Sequence, residues 1–130
     1  MIKGACHCGA VRWSFARVPE SATACNCTVC RRYGALWAYD YENEAVSVSG
    51  PTSVHARGQH LGFHFCPTCG CVAYWRAFGP NEEGRRRIAV NLRLADDPAA
   101  VSAIVLEHFD GLETFEDLGR DGRCVGDLWF

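Results

Sequence analysis

Cys25-Asn26-Cys27-Thr28-Val29-Cys30 places three thiols within six residues, and Arg31 and Arg32 follow directly. Thiols this close serve metal ligation, redox exchange or disulfides. Metal ligation suits the spacing best. Residues two apart in an extended segment point the same way, so Cys25 and Cys27 can face one ion. Cys30, a turn further on, can close a third corner. In a zinc tetrahedron Zn–S is about 2.3 Å, which sets neighbouring sulfurs about 3.8 Å apart. The stretch itself offers no fourth cysteine or histidine. Three protein ligands and one open position are the catalytic pattern for zinc, whereas a fourth ligand from elsewhere would make a closed structural site. The stretch alone leaves both readings open.

Two further groups carry the same chemistry. Cys6-His7-Cys8-Gly9 is a close pair, with His7 expected on the opposite side, toward solvent or a position behind the ligands. Cys66-Pro67-Thr68-Cys69-Gly70 reads as a knuckle, two thiolates on a tight turn whose glycine is free to take positive φ. Amides of such a turn can point at the sulfurs. A redox Cys-x-x-Cys would open a helix, but Cys71-Val72-Ala73-Tyr74-Trp75 is β-rich. Cys71 is expected to be a buried free thiol rather than a competitor of Cys69, and Cys124 has no expected role. The residues do not say which clusters share an ion. An ion held by two distant clusters closes a long loop, so binding it is part of folding.

The nine cysteines need a reducing setting. The N-terminus lacks the apolar stretch of a secretory signal, and no run approaches the roughly 20 residues that span a bilayer. The expectation is a cytoplasmic protein with no membrane partner, where cysteine clusters are metal or catalytic sites. A formal net charge of −2 and a pI near 6.2 argue against nucleic acid as a partner. Seven thiolates on two zinc ions would add a net −3, so arginines beside the sites would have local work.

The elements that must position these thiols are short. With 130 residues, of which 48% are hydrophobic, the chain has a core for one domain spanning 1–130. Val11, Trp13 and Phe15 alternate with polar residues as in a half-buried strand. Pro19 to Ala22 reads as a connection, and Thr28 to Tyr33 as one helical turn. Leu36–Tyr39, 46–48, Ser53–Arg57, Leu61–Phe65, 71–75, Ile88–Leu92 and 104–106 read as further strands. Tyr39 to Glu44 reads as a turn. His60 and His64 are expected to share a solvated face, and Arg85-Arg86-Arg87 to be a solvated loop edge. Asp96 to Ala103 has an N-cap and an early proline, which predicts a short helix. The tail from His108 reads as turn-rich. The fold class is therefore all-β, pinned by metal.

The pieces Gly4-x-Cys6-His7-Cys8-Gly9-Ala10-Val11, Cys25-x-Cys27-x-x-Cys30-Arg31, Phe65-Cys66-Pro67-x-Cys69-Gly70 and Asn91-Leu92-Arg93, with Asp97-Pro98 and Phe109-Asp110-Gly111, resemble the glutathione-dependent formaldehyde-activating enzyme family. That family also includes centromere protein V-like proteins. The resemblance covers almost the whole chain and implies a small all-β, β-tent type zinc domain. It implies a structural zinc on Cys6, Cys8, Cys66 and Cys69, and a second, open and catalytic zinc on Cys25, Cys27 and Cys30. The activity it implies is a carbon–sulfur lyase type reaction that joins glutathione to formaldehyde as S-hydroxymethylglutathione. Asn26 departs from the histidine often found there, which puts a contact behind the metal ligands in question.

The substrate-binding candidates are Arg31 and Arg32, with Arg93 behind them, because an arginine can pair with a thiol substrate's carboxylate. The rival reading is a zinc-stabilised binding or scaffold domain that keeps both ions without turnover.

Overall fold

The computed structural model describes residues 1–128; Trp129 and Phe130, the end of the tail read as turn-rich, lie outside the described residues. In chain order the strands are β1 (Ile2–Ala5), β2 (Arg12–Phe15) and β3 (Ser21–Cys25). The one-turn helix α1 (Cys30–Tyr33) follows, then β4 (Trp37–Tyr41), β5 (Val46–Ser49), β6 (Ser53–Arg57) and β7 (Leu61–Phe65). After the cysteine knuckle come β8 (Val72–Ala77), β9 (Arg87–Asn91), β10 (Val105–Asp110) and β11 (Glu116–Leu118). The all-β expectation holds.

The strands make two sheets. One has three strands in the order β1-β2-β5, the other eight in the order β11-β10-β3-β4-β9-β8-β7-β6. All pairings are antiparallel except β10 with β3. Alternation along each strand gives the large sheet two different faces. Ala22, Ala38, Ile88, Val90, Tyr74 and Leu106 pack with Trp13, Phe15 and Val46 of the small sheet into the main core. Trp37, Phe63, Val72 and Ala89 form a second cluster with Cys27 and Cys30, flanked by Tyr39 and Trp75. The second face carries the chemistry; the first holds the domain together.

Asn91 joins the strands at their centre. It is 5% exposed, accepts from the Leu36 and Arg93 amides at 3.3 and 3.2 Å, and donates to the Val72 carbonyl at 3.0 Å. This accounts physically for the Asn-Leu-Arg piece. Truncating the amide leaves buried backbone groups without a partner, at about 1–3 kcal/mol for each. Asn91→Ala should therefore lower the urea midpoint by the equivalent of about 2–4 kcal/mol with the m-value unchanged, measured on the zinc-loaded protein.

Several local readings need correction. Ser21 and Ala22 belong to β3 rather than to a connection, because this strand is sandwiched between β10 and β4. β4 continues to Tyr41, held by the pairing of Tyr41 with Arg87, so the turn starts later. The helix expected over Asp96 to Ala103 is a 3-10 turn at Pro98–Ala100. Its cap is as expected, with the Asp97 side chain accepting from the Ala99 amide at 3.0 Å. So short a segment cannot repay helix nucleation without an apolar face.

The solvated-histidine pair is also corrected. His60 is exposed, but His64 is 7% exposed, stacks on Tyr74 at 4.6 Å and bonds the Thr52 hydroxyl through Nδ1 at 2.8 Å. Burial, with help from the charge of Arg76, pushes the His64 imidazole down to about 4. The arginine run is tied down as well. Arg85 grips Glu44 with two 2.9 Å bonds and lies 3.6 Å over the Tyr41 ring, while Arg86 donates to the carbonyls of Ala77 and Phe78. The tail is less irregular than expected: it extends β10 to Asp110 and adds one strand, β11.

Candidate functional site

The first cysteine group forms where the loop after β1 meets the knuckle between β7 and β8. The sulfurs of Cys6, Cys8, Cys66 and Cys69 all lie within 4.8 Å of one another. Cys6–Cys8 and Cys8–Cys66 are each 3.6 Å apart, close to the spacing of a zinc tetrahedron. Gly9 and Gly70, at φ 83° and 81°, make the turns that bring the pairs together. Amides point at the sulfurs: Val11 N–H to Cys6 at 3.3 Å and Cys69 N–H to Cys66 at 3.5 Å. Backbone donation from Cys71, then from Cys8, holds the Cys69 thiol down at about 5. Four sulfurs this close, with backbone N–H groups donating to Cys6, Cys66 and Cys69, are a donor set that fits zinc. His7 is exposed, and Cys71 is a partly buried thiol outside the group.

The second group stands on the opposite face of the large sheet. Cys25 ends β3, Cys27 lies in the bend that enters α1, and Cys30 is the first residue of that helix. Their three sulfurs also lie within 4.8 Å of one another. Each accepts an N–H: Cys25 from the Cys27 amide at 3.5 Å, Cys27 from the Cys30 amide at 3.3 Å, and Cys30 from Trp37 Nε1 at 3.4 Å. Hydrogen bonding from Cys30 holds the Cys25 thiol down at about 5, and the same bond pushes Cys30 up. Three sulfurs sharing protons in a half-buried cage are a set that a divalent cation would discharge. They fit zinc, and no fourth cysteine, histidine or carboxylate joins them among the described residues.

These sulfurs open onto a cleft of about 370 Å³. Trp37, Tyr39, Phe63, Trp75, Phe109 and Phe115 give it aromatic walls. Apart from the thiols and the indole N–H groups, its polar groups among the described residues are the Tyr39 hydroxyl, Arg57 and His60. Burial first, partly offset by a bond with Thr23, pushes the Tyr39 phenol up to about 12, so it remains a hydroxyl at ordinary pH. Arg57 closes one end, its guanidinium donating to the Thr28 hydroxyl at 3.0 Å, between Cys27 and Cys30 in sequence. Arg31 and Arg32 are exposed on α1 and neither lines the cleft; Arg32 donates to the Thr28 carbonyl at 2.7 Å. Arg93 donates to the carbonyls of Gly34 and Leu128.

The loop after β10 lies directly on the sulfurs. A Cβ on Gly111 would sit 2.8 Å from Cys25 Sγ and 2.8 Å from Cys27 Cβ. Asn26 clasps this loop from between the ligands, donating to Asp110 at 3.1 Å and accepting from the Leu112 amide at 3.1 Å. Asp110 also accepts from the amides of Leu112, Glu113 and Thr114 and from the Thr114 hydroxyl. The Glu113 amide, then Asn26 and Thr114, hold its carboxyl at about 2. So Asn26, the departure noted in the sequence, supports the site from the outside. Arg57, the aromatic walls and the Asn26–Asp110 clasp were not picked out from the sequence. Strand alternation does pair Trp37 with Tyr39, but no local signal brings Arg57 to Thr28.

Fold and site together define an all-β domain with two cysteine clusters, each able to hold a metal ion. The family model for the glutathione-dependent formaldehyde-activating enzyme matches residues 1–109, and the chain belongs to that family. A crystal structure of a Rhodobacter sphaeroides protein is similar in fold, with TM-score 0.60 and 24% identity over 80% of this chain and 98% of that one. No curated protein matches. Among the described residues no helix is long and apolar enough to cross a membrane.

Proposed function

We propose that the chain is a zinc-dependent, carbon–sulfur lyase type enzyme that adds a thiol, glutathione, to a small aldehyde. The observation that carries this reading is the three-sulfur group at the cleft: it fits zinc and faces open space rather than a fourth ligand. We assign Cys6, Cys8, Cys66 and Cys69 to a structural zinc, and Cys25, Cys27 and Cys30 to the second ion. Zinc held at the second site would supply a position at which an entering thiol loses its proton near neutral pH.

This chain's own residues do the rest. The amide and indole N–H groups on the three sulfurs spread their charge. The aromatic walls exclude water, which strengthens every charge interaction inside. Three thiolates with one dication carry a net −1, and glutathione is an anion, so the encounter needs a cation. We assign that role to Arg57, which is exposed like Arg31 and Arg32 but lines the cleft as they do not. Because Arg57 is exposed, its pairing with an anion is partly screened and worth about 0.2–1 kcal/mol, or up to roughly fivefold in affinity. Arg57→Ala should weaken glutathione binding by that factor, with the salt dependence reduced, while Arg31→Ala and Arg32→Ala stay close to wild type. Calorimetric titration at two ionic strengths checks it.

The enzyme reading itself is tested by following aldehyde consumption with and without glutathione on protein carrying two zinc ions. A zinc-loaded, folded protein that leaves glutathione and a panel of aldehydes unchanged would instead be the non-catalytic binding domain.

A further inference from the structure

We propose that the carbonyl substrate is an aldehyde carrying an apolar, ring-sized substituent, rather than formaldehyde itself. This rests on the thiol-addition reading above and concerns which aldehyde that site takes. Formaldehyde has two heavy atoms and no apolar surface, so it has nothing to place against aromatic walls. A cleft of about 370 Å³ is in the range of pockets that enclose molecules many times larger.

The cleft is also polarised along its length. Strand order sets its ends, because β6 and β10 lie on opposite sides of β4, β9, β8 and β7. Arg57, at the end of β6, marks the charged end. Phe109 of β10, paired in register with Cys25, marks the other. Between them Tyr39 and Trp75 meet at 5.7 Å and Trp37 and Phe63 at 5.8 Å. Ala89, small and fully buried beneath this face, leaves the walls their spacing. An anionic thiol compound is served at the Arg57 end. Among the described residues lining the cleft, the Phe109 end has no cation to offer a carboxylate, and it suits an apolar group.

Phe115 is the second observation. It is 76% exposed, yet its ring stands edge-on to Phe109 at 4.9 Å on the cleft wall. Its backbone is left-handed, with φ 56°, in a turn closed by its amide on the Asp110 carbonyl at 2.7 Å. A bulky residue in that region is strained, and such strain persists where surrounding bonds enforce it. Here the bond from the Phe115 amide to the Asp110 carbonyl closes the turn, and the result is an aromatic ring on the wall of the cleft that Cys25 also lines.

The step is a simple addition. The thiol sulfur attacks the carbonyl carbon and a C–S bond forms. The C=O π pair moves to oxygen, which takes up the proton the thiol gave, and no oxidant or reductant enters.

The test uses the full chain loaded with two zinc ions and compares phenylacetaldehyde with formaldehyde, each with glutathione. The expected result is a kcat/KM at least about a hundredfold higher for phenylacetaldehyde, since each methylene in a fitted pocket is worth about tenfold or more. Without glutathione, phenylacetaldehyde should quench the fluorescence of Trp37 and Trp75 saturably, and formaldehyde should not. Phe115→Ala should shrink the preference between the two aldehydes about tenfold with zinc content unchanged. Formaldehyde consumed as fast as, or faster than, phenylacetaldehyde overturns this inference and leaves the thiol-addition reading standing. If neither aldehyde is consumed, both fall.

Discussion

Cys66→Ser will not accumulate as a stable folded protein at 37 °C, and Cys6→Ser will behave the same way. The four sulfurs join the loop after β1, in the small sheet, to the knuckle between β7 and β8, in the large one. Cys6 and Cys66 are 3% and 1% exposed and pack into the main core. Closed structural zinc sites contribute about 10–16 kcal/mol of apparent binding energy in small domains. A whole domain keeps only about 5–15 kcal/mol of net stability. Losing one thiolate therefore removes an amount comparable to everything that holds the fold. The measurement is zinc content and thermal melting of freshly reduced protein, with wild type at two ions per chain. A Cys66→Ser protein melting within a few degrees of wild type would show that this group is not a structural metal site.

The knuckle was legible in the sequence for a physical reason, whereas its sharing an ion with Cys6 and Cys8 was implied only by the family resemblance. Metal ligation ties function to residue type and spacing, so Cys66-x-x-Cys69-Gly70 declares itself without tertiary context. Alternation did the same for β2, whose apolar residues face one core, and the continuous apolar run Ile88-Ala89-Val90 did so for β9, which is buried on both faces. β3 was harder: Ser21-Ala22-Thr23-Ala24 is small and weakly apolar, and it is a strand because β10 and β4 both pair with it. β11 is exposed at all three positions, so it leaves no hydrophobic pattern to read. His64 was misplaced because its burial depends on Tyr74 and Thr52, which alternation within β7 cannot show. The cleft was invisible for the same reason. Its walls come from five strands and the loop after β10, and only the register of the large sheet lines up Arg57, Trp37 and Phe109 around three sulfurs.

The opposite behaviour is expected of the second group. Cys27→Ser should keep one zinc per chain, melt within a few degrees of wild type, and lose at least about a hundredfold in glutathione–aldehyde addition, the scale of a lost transition-state stabilising group. Its sulfur lies on the cleft side of the large sheet, away from the interface between the sheets, so the core packing survives its loss. A cysteine substitution alone could act through some other property of the thiol. Gly111→Val separates the two, because it leaves all nine cysteines in place. The new side chain would begin 2.8 Å from Cys25 Sγ, inside the shortest distance that atoms of this kind tolerate, and its branches would press on Cys27 as well. The loop cannot lift freely, since Asn26 holds both the Asp110 carboxylate and the Leu112 amide. The sulfurs must yield, and the three no longer reach one ion. Gly111→Val should therefore copy Cys27→Ser: one zinc retained, the melt little changed and turnover lost together with the second ion. Zinc stoichiometry, thermal melting and adduct formation measured on the same preparations decide it. If both variants lose the second zinc yet keep wild-type turnover, the chemistry does not take place at Cys25, Cys27 and Cys30. If Cys27→Ser instead unfolds as Cys66→Ser does, both groups are structural, and the cleft has lost its claim to be a reaction centre.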